Sequence, residues 1–183
     1  MRITGGALKG RTILSPDGTR TRPTSDKTRQ AIFNILAHEI VDAEILDMFA
    51  GSGALGIEAL SRGARAATFV EKHTPTARLI QENLDRLHLT GRAINADWKT
   101  AASLLSAHSH YNLIFADPPY GEFPGHELLT TLIPLLAPEG ILIIETDAKE
   151  EPVSDSTVAR LLKTRAFGHA RISFYCRGDI IAT

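Results

Sequence analysis

The chain is poor in cysteine: Cys176 is the only one in 183 residues. A lone thiol cannot close an intramolecular disulfide, and the seven histidines are scattered. A disulfide scaffold and a cysteine-based zinc module are therefore excluded. Long apolar runs are also missing. No stretch approaches the ~18 consecutive apolar residues of a membrane helix. The opening MRITGGALKGRTI has no apolar core of the secretory kind. The expected location is the cytoplasm, away from membranes. With 43% hydrophobic and 22% charged residues, the composition is neither disordered nor collagenous. One domain with a short appendage is expected, and a chain of this length buries about 70% of its unfolded surface.

Net charge is low as well, at −1, but the total conceals an asymmetry. Residues 1–30 carry seven basic groups (Arg2, Lys9, Arg11, Arg20, Arg22, Lys27 and Arg29) against Asp17 and Asp26. Residues 31–149 carry eight basic groups against fifteen acidic ones. A basic arm on an acidic body suggests a polyanion partner at the N-terminus. A solvated loop whose arginines pair with the body would give the same count, and charge alone leaves both open.

From Ala43 onward, short apolar runs alternate with helical patterns. The expected strands are Glu44–Phe49, Ala67–Glu71, Ala93–Ala96, Tyr111–Ala116 and Gly140–Glu145, and most lack the polar alternation of a half-exposed strand. Helices are expected over Ala54–Ser61, Thr74–Leu89, Lys99–Ala107 and His126–Leu136, with a turn at Pro138–Glu139–Gly140. This rhythm predicts an α/β protein whose parallel sheet has helices on both faces. Ahead of it, residues 2–14 read as a Gly-turned hairpin, and Pro23–Ala37 as a helix capped by Thr24 or Ser25. Behind it, Ser154–Lys163 reads as helix and Phe167–Arg177 as a terminal hairpin, with Cys176 a buried strand residue. The boundaries divide the chain into an extension, 1–40, and a main domain, 41–183.

Three groups of residues carry chemistry. The segment Leu46-Asp-Met-Phe-Ala-Gly-Ser-Gly-Ala-Leu-Gly56 ends a strand and opens a helix, with Gly51, Gly53 and Gly56 in G-x-G-x-x-G spacing. Glycine permits the tight turn and lets a ligand approach the backbone. The pattern fits NAD, FAD and S-adenosylmethionine sites alike; a purely structural turn also produces it. Asp47, four residues ahead of Gly51, would repel a pyrophosphate but favour a ligand carrying ammonium or sulfonium charge.

The second group is the strand-end acids. Glu71 follows the second strand, where an acid accepts from ribose hydroxyls, with Lys72 beside it. Asp97 follows the third and could accept from an adenine amine, with Trp98 as an apolar wall. It could equally cap the next helix, or do both.

The third is Asp117-Pro118-Pro119-Tyr120, after the fourth strand. Two prolines end the ladder and stiffen the backbone, so the Pro118 carbonyl and the Asp117 carboxylate offer two acceptors at one point. That suits a planar ring bearing an exocyclic NH2. Both N–H donors are satisfied while the lone pair is aimed at an electrophile, and Tyr120 stacks on the ring. Alone, the tetrapeptide could also be a Pro-terminated strand with a loop-capping Asp.

Together, the glycine loop, the acids after the second and third strands, and Asp-Pro-Pro-Tyr resemble class I S-adenosylmethionine-dependent methyltransferases, especially those that modify nucleobase amines. RITGGALKGRTI (2–13), RPTSDKTRQAIFNIL (22–36) and LDMFAGSGALGIEALSRGA (46–64) resemble the RsmD-type 16S ribosomal RNA guanine-N2 methyltransferases, over nearly the whole chain. The resemblance implies a Rossmann-like, mostly parallel seven-stranded sheet with helices on both faces and a small N-terminal hairpin and helix. It implies S-adenosyl-L-methionine as cofactor, no metal, and 16S rRNA in the small ribosomal subunit or an assembly intermediate as partner. No obligate protein partner is implied. Asp47, Gly51 and Gly53 would cradle the methionine end, Glu71 would hold the ribose, and Asp97 with Trp98 the adenine, with Phe49, Ala50 and Lys72 also at the cofactor. Asp117, Pro118, Pro119 and Tyr120 would hold the guanine, Asp117 also bordering the cofactor. Pro23–Asn34 would close over the cofactor, and Arg2, Lys9, Arg11, Arg20, Arg22, Lys27 and Arg29 would grip RNA phosphates.

Other functions fit parts of this pattern. A DNA adenine-N6 methyltransferase uses the same tetrapeptide, but this chain has no visible DNA-reading insert. A non-catalytic RNA-binding assembly factor would keep the fold without the chemistry. An NAD-dependent oxidoreductase is disfavoured by Asp47 and by the lack of a hydride-transfer acid/base pair.

Overall fold

The strands read as near-continuous apolar runs because helices cover the sheet on both sides. A computed structural model of the chain describes residues 1–16, 26–106, 110–154 and 156–178. Among these residues the elements run α1 (Asp26–Ile35), β1 (Glu44–Asp47), α2 (Ala54–Ser61), β2 (Ala66–Val70), α3 (Thr74–Leu87), β3 (Gly91–Ile94), α4 (Trp98–Leu105), β4 (Tyr111–Ala116), α5 (Gly125–Leu132), β5 (Leu136–Asp147), β6 (Ala159–Phe167) and β7 (Ala170–Arg177). A short 3-10 turn, Ile133–Leu135, joins α5 to β5.

One seven-stranded sheet has the order β3-β2-β1-β4-β5-β7-β6. Pairings from β3 across to β5 are parallel, and β7 runs antiparallel to both its neighbours. Side chains alternate between two cores. Ile45, Phe69, Leu113, Phe115 and Ile143 meet Ile32 and Phe33 of α1, Leu60 of α2 and Ile80 and Leu84 of α3. Leu46, Val70, Ile114, Leu142 and Ile144 meet Ala101 and Leu105 of α4 and Leu128, Leu129 and Leu132 of α5. The order reverses between β1 and β4, so the loops leaving those two strands sit side by side at the crevice where open α/β sheets bind ligands.

The ends of the chain differ from the sequence reading. The segment Ser154–Lys163 is not a helix: residues 159–167 form the edge strand β6, paired with β7 from Ala159↔Arg177 to Phe167↔Ala170. The spacing of Val158, Leu161 and Leu162 imitates a helical face, but the ladder offered by β7 outweighs local preference. The terminal hairpin is therefore longer than expected, turning at Gly168, whose φ is +61°. Cys176 lies in β7 and is half-buried rather than buried. The Pro138–Gly140 turn lies inside β5, where the register jumps from Tyr111↔Leu136 to Leu113↔Ile141. The arm forms only a narrow hairpin, with one antiparallel bridge, Arg2↔Thr12. The Thr24 and Ser25 caps lie outside the described residues.

The arm packs on the body through Ile3 and Ile13, both buried in the α1–α3 core. Its polar anchor is Glu58 of α2, fully buried, which accepts from Thr4 N at 2.8 Å and Thr4 Oγ1 at 2.7 Å. Arg29 Nε and Arg62 Nη2 pair with the same carboxylate at 3.3 and 2.9 Å.

Candidate active site

The loop after β1 is built by its glycines. Gly51 and Gly53 have φ of +52° and +78°, where a side chain would be strained. A Cβ on Gly51 would point into open space, so the backbone itself faces the crevice. Gly56 answers a different need: a Cβ there would lie 2.3 Å from Phe69 Cε1, so only glycine lets α2 pack this closely on β2.

Two acids fix the loop. Asp47, buried at the end of β1, accepts the Gly56 N–H at 3.0 Å. Burial pushes its carboxyl up to about 7, the Gly56 hydrogen bond opposes this, and the charge of Glu71 adds to it. Near neutral pH, Asp47 is thus partly protonated, and its charge is weaker than the sequence implies. Glu71 accepts from Gly51 N at 2.9 Å and from His73 N at 2.7 Å. Its half-buried carboxylate lies beside the loop, where it can also accept from vicinal hydroxyls. Lys72 beside it is exposed, and Ala50 N is engaged by the Val70 carbonyl at 2.9 Å.

Asp97 is the N-cap of α4, accepting from Lys99 N and Thr100 N, each at 3.1 Å, and from the Thr100 hydroxyl. The hydroxyl, foremost among these donors, holds its carboxyl below the usual range. Asp97 is exposed and keeps lone pairs for a ligand. Trp98 is buried, so little of its ring is open to a ligand. It belongs to a trio with Phe49 (5.8 Å between centroids) and Phe123 (5.4 Å), while Phe49 and Phe123 stack at 5.7 Å. The sequence reading did not single out Phe123; its signal was an aromatic in the Gly/Pro-rich turn just after the tetrapeptide.

Asp117 and Pro119 are half-buried, Pro118 is buried and Tyr120 is exposed. The strand β4 that carries them pairs with β1 at Asp47↔Phe115, so the tetrapeptide leaves the sheet beside the glycine loop. Tyr120 donates its hydroxyl to Glu145 Oε1 at 3.0 Å. Although the residue is exposed overall, partial desolvation of its hydroxyl, then the Glu145 charge and hydrogen bond, push the phenol well above its usual range, so it stays a donor. Glu145, at the crevice end of β5 and itself buried, was also missed. Its signal was one more acid at a strand end.

The basic arm divides. Arg2, Lys9, Arg11 and Lys27 are exposed, and Arg20 and Arg22 lie outside the described residues. Arg29 contradicts its expected role. It has no exposed surface, and its guanidinium is spent on Glu58, on Asp26 at 2.9 Å and on the Arg2 carbonyl at 2.7 Å. It fastens the arm to α2 and cannot reach a phosphate. Near the other end, Arg171 bonds the Ala148 carbonyl at 2.8 Å, and Arg177 bonds the Leu136 carbonyl. Among the described residues, no group of three or more His, Cys, Asp or Glu could hold a metal ion, and no helix is long and apolar enough to cross a membrane.

The family model described as conserved hypothetical protein 95 matches residues 1–176. The ribosomal RNA small subunit methyltransferase D of Escherichia coli is 38% identical over 152 residues, 81% of this chain and 76% of that protein. The solved structure of yhhF from Escherichia coli superposes with a TM-score of 0.85 at 35% identity, covering 97% of this chain and 98% of that one. The Thermus thermophilus 16S rRNA N2 G1207 methyltransferase RsmC, solved with AdoMet and guanosine, shares the fold at a TM-score of 0.73 and 20% identity; the match covers 97% of this chain and 49% of that one. On this evidence the chain belongs to the conserved hypothetical protein 95 family, that of the RsmD-type rRNA methyltransferases.

Proposed function

We propose that the protein transfers a methyl group from S-adenosyl-L-methionine to the exocyclic N2 of one guanine in 16S rRNA, in the cytoplasm. The observation that carries this reading is the adjacency of two loops. The glycine loop leaves β1 and Asp-Pro-Pro-Tyr leaves β4, on neighbouring strands at the point where the sheet order reverses. One loop suits the cofactor and the other an aromatic amine, so donor and acceptor meet over a single crevice. RsmC, of which the matched 49% shares this fold, was solved with AdoMet and guanosine.

The residues present fit this cofactor. The bare backbone at Gly51 leaves room for the methionine end, the Glu71 carboxylate beside that loop can accept from the ribose hydroxyls, and Asp97 with the Phe49–Trp98–Phe123 cluster suits the adenine. When bound, S-adenosyl-L-methionine supplies a methyl made electrophilic by positive sulfur. The protein's task is orientation. The amine of guanine is a poor nucleophile because its lone pair is delocalised. Asp117 and the Pro118 carbonyl would accept hydrogen bonds from its two N–H groups and so turn the lone pair toward the methyl, with Tyr120 stacked on the ring. As the methyl leaves sulfur for nitrogen, its C–S bond breaking and the pair returning to a neutral thioether, Asp117 would take the proton the amine loses or pass it to water. Arg2, Lys9, Arg11 and Lys27 hold RNA phosphates and set register without reading sequence. A guanine already outside a helix is preferred, because extrusion costs a few kcal/mol.

The test is methylation of small ribosomal subunits, with mass spectrometry to locate the product and duplex DNA in parallel. Methyl groups on guanine N2 are expected, and adenine N6 product on the DNA would refute the reading. Asp117→Ala should abolish transfer while cofactor affinity by calorimetry stays within about threefold, since only the substrate side loses an acceptor. Retained turnover in that variant would remove Asp117 from the mechanism.

A further inference from the structure

An exocyclic amine does not by itself distinguish guanine from adenine or cytosine, and the mechanism above leaves one buried acid beside the tetrapeptide without a task. Glu145 is 7% exposed. Its neighbour Ile144 pairs with Ala116 in β4, which puts Glu145 next to Asp117 across strands about 4.8 Å apart. It borders a depression also walled by Pro118, Pro119, Tyr120 and Phe123, and its Oε1 accepts the Tyr120 hydroxyl at 3.0 Å. A buried carboxylate is costly unless it is engaged. It presents about four lone-pair sites, and the Tyr120 hydroxyl takes one of them.

Next to its amine, guanine carries N1–H, a donor. The corresponding ring nitrogens of adenine and cytosine carry lone pairs. An ionised carboxylate can only accept, so it matches the first and repels the others. From this geometry we infer that Glu145 is a specificity-determining residue: it accepts the N1–H of the base whose amine Asp117 and Pro118 hold, and the Tyr120 hydroxyl keeps it oriented. The inference rests on the guanine-N2 reading above. It makes the end of β5 the third wall of the base site.

The test uses RNA carrying the target guanine and a twin with 2-aminopurine there. 2-Aminopurine keeps the exocyclic amine but has a lone pair at N1. For the native protein, kcat/KM should favour guanine by on the order of 10- to 100-fold, the discrimination of one well-made base contact. In Glu145→Gln, guanine turnover should fall by a similar factor while 2-aminopurine is unchanged or improves, because the amide can donate to N1. The preference then collapses toward one. Equal losses on both RNAs would overturn the inference and leave Glu145 a mere support for Tyr120; an unchanged preference would overturn it too. If Glu145→Gln fails to bind cofactor, Tyr120→Phe decides: its preference should drop by about threefold or more, and no change refutes the assignment. A native protein that methylates no guanine in small subunits sinks the guanine-N2 reading itself, whereas one that does so without preferring guanine over 2-aminopurine sinks only this inference.

Discussion

At the scale of single residues, the site is made of carboxylates whose burial differs, and burial sets what each can do. Asp97 is exposed and stays ionised as a cap and acceptor, whereas Asp47 is enclosed and its carboxyl sits at about 7 instead of the usual 3.8. Between those two values the folded chain keeps a proton on Asp47 that the unfolded chain has released. The contribution of this group to stability is therefore lost as pH rises through the window, and the cost of burying the charge is complete above about 7. Asp47→Asn removes that charge and keeps an acceptor for Gly56 N–H. In denaturant unfolding it should gain of order a few kcal/mol over the native protein at pH 8, and clearly less at pH 5. Equal gains at both pH values would mean that Asp47 is not the titrating group.

Much of this inventory is legible in the sequence, because strand-end acids and a glycine loop are local patterns. The burial of Arg29 is not. Its neighbour Asp26 is close in sequence, but Glu58 lies 29 residues further on, and only the fold shows that a basic residue in a basic arm faces inward. Glu145 and Phe123 escaped for a related reason: each gains its meaning from contacts with residues of other elements.

At the scale of elements, α2 is the part under tightest constraint. Its Gly56 receives the edge of the buried Phe69 ring, and the N–H of the same residue is held by Asp47. Gly56→Ala improves helix propensity by up to about 1 kcal/mol, but the added methyl cannot fit without moving α2 off β2. Overpacking of this kind costs about 1–3 kcal/mol, so thermal unfolding should show a net loss, with weaker cofactor binding as the loop shifts. A more stable variant would show that the packing can yield. The helix and strand alternation from β1 to β5 could be read in advance because each element has its own periodicity. The strand β6 could not, since its apolar spacing mimics a helix and β7 alone supplies the partner that makes it a strand.

At the scale of the whole molecule, charge is divided between a basic arm, on which Arg2, Lys9, Arg11 and Lys27 are exposed, and an acidic body, and the arm is the surface that meets RNA in the reading above. Each of Arg2, Lys9, Arg11 and Lys27 that neutralises a phosphate releases counterions, so affinity for RNA should fall steeply with salt. Replacing Lys9 and Arg11 together with Ala should weaken binding uniformly across RNA sequences and flatten the log–log salt slope by about 2. Titrations at several salt concentrations would show it, and an unchanged slope would place the RNA on another face.

The arm reaches its anchor only through residues far along the chain, Thr4 to Glu58 and Arg29 to the same carboxylate. During translation at about 5–20 residues per second, the first strandlet therefore exists for several seconds before the helix that seats it has been made. In a nascent chain, its basic groups are displayed on an unanchored tether, beside the machine whose RNA the finished protein is proposed to modify.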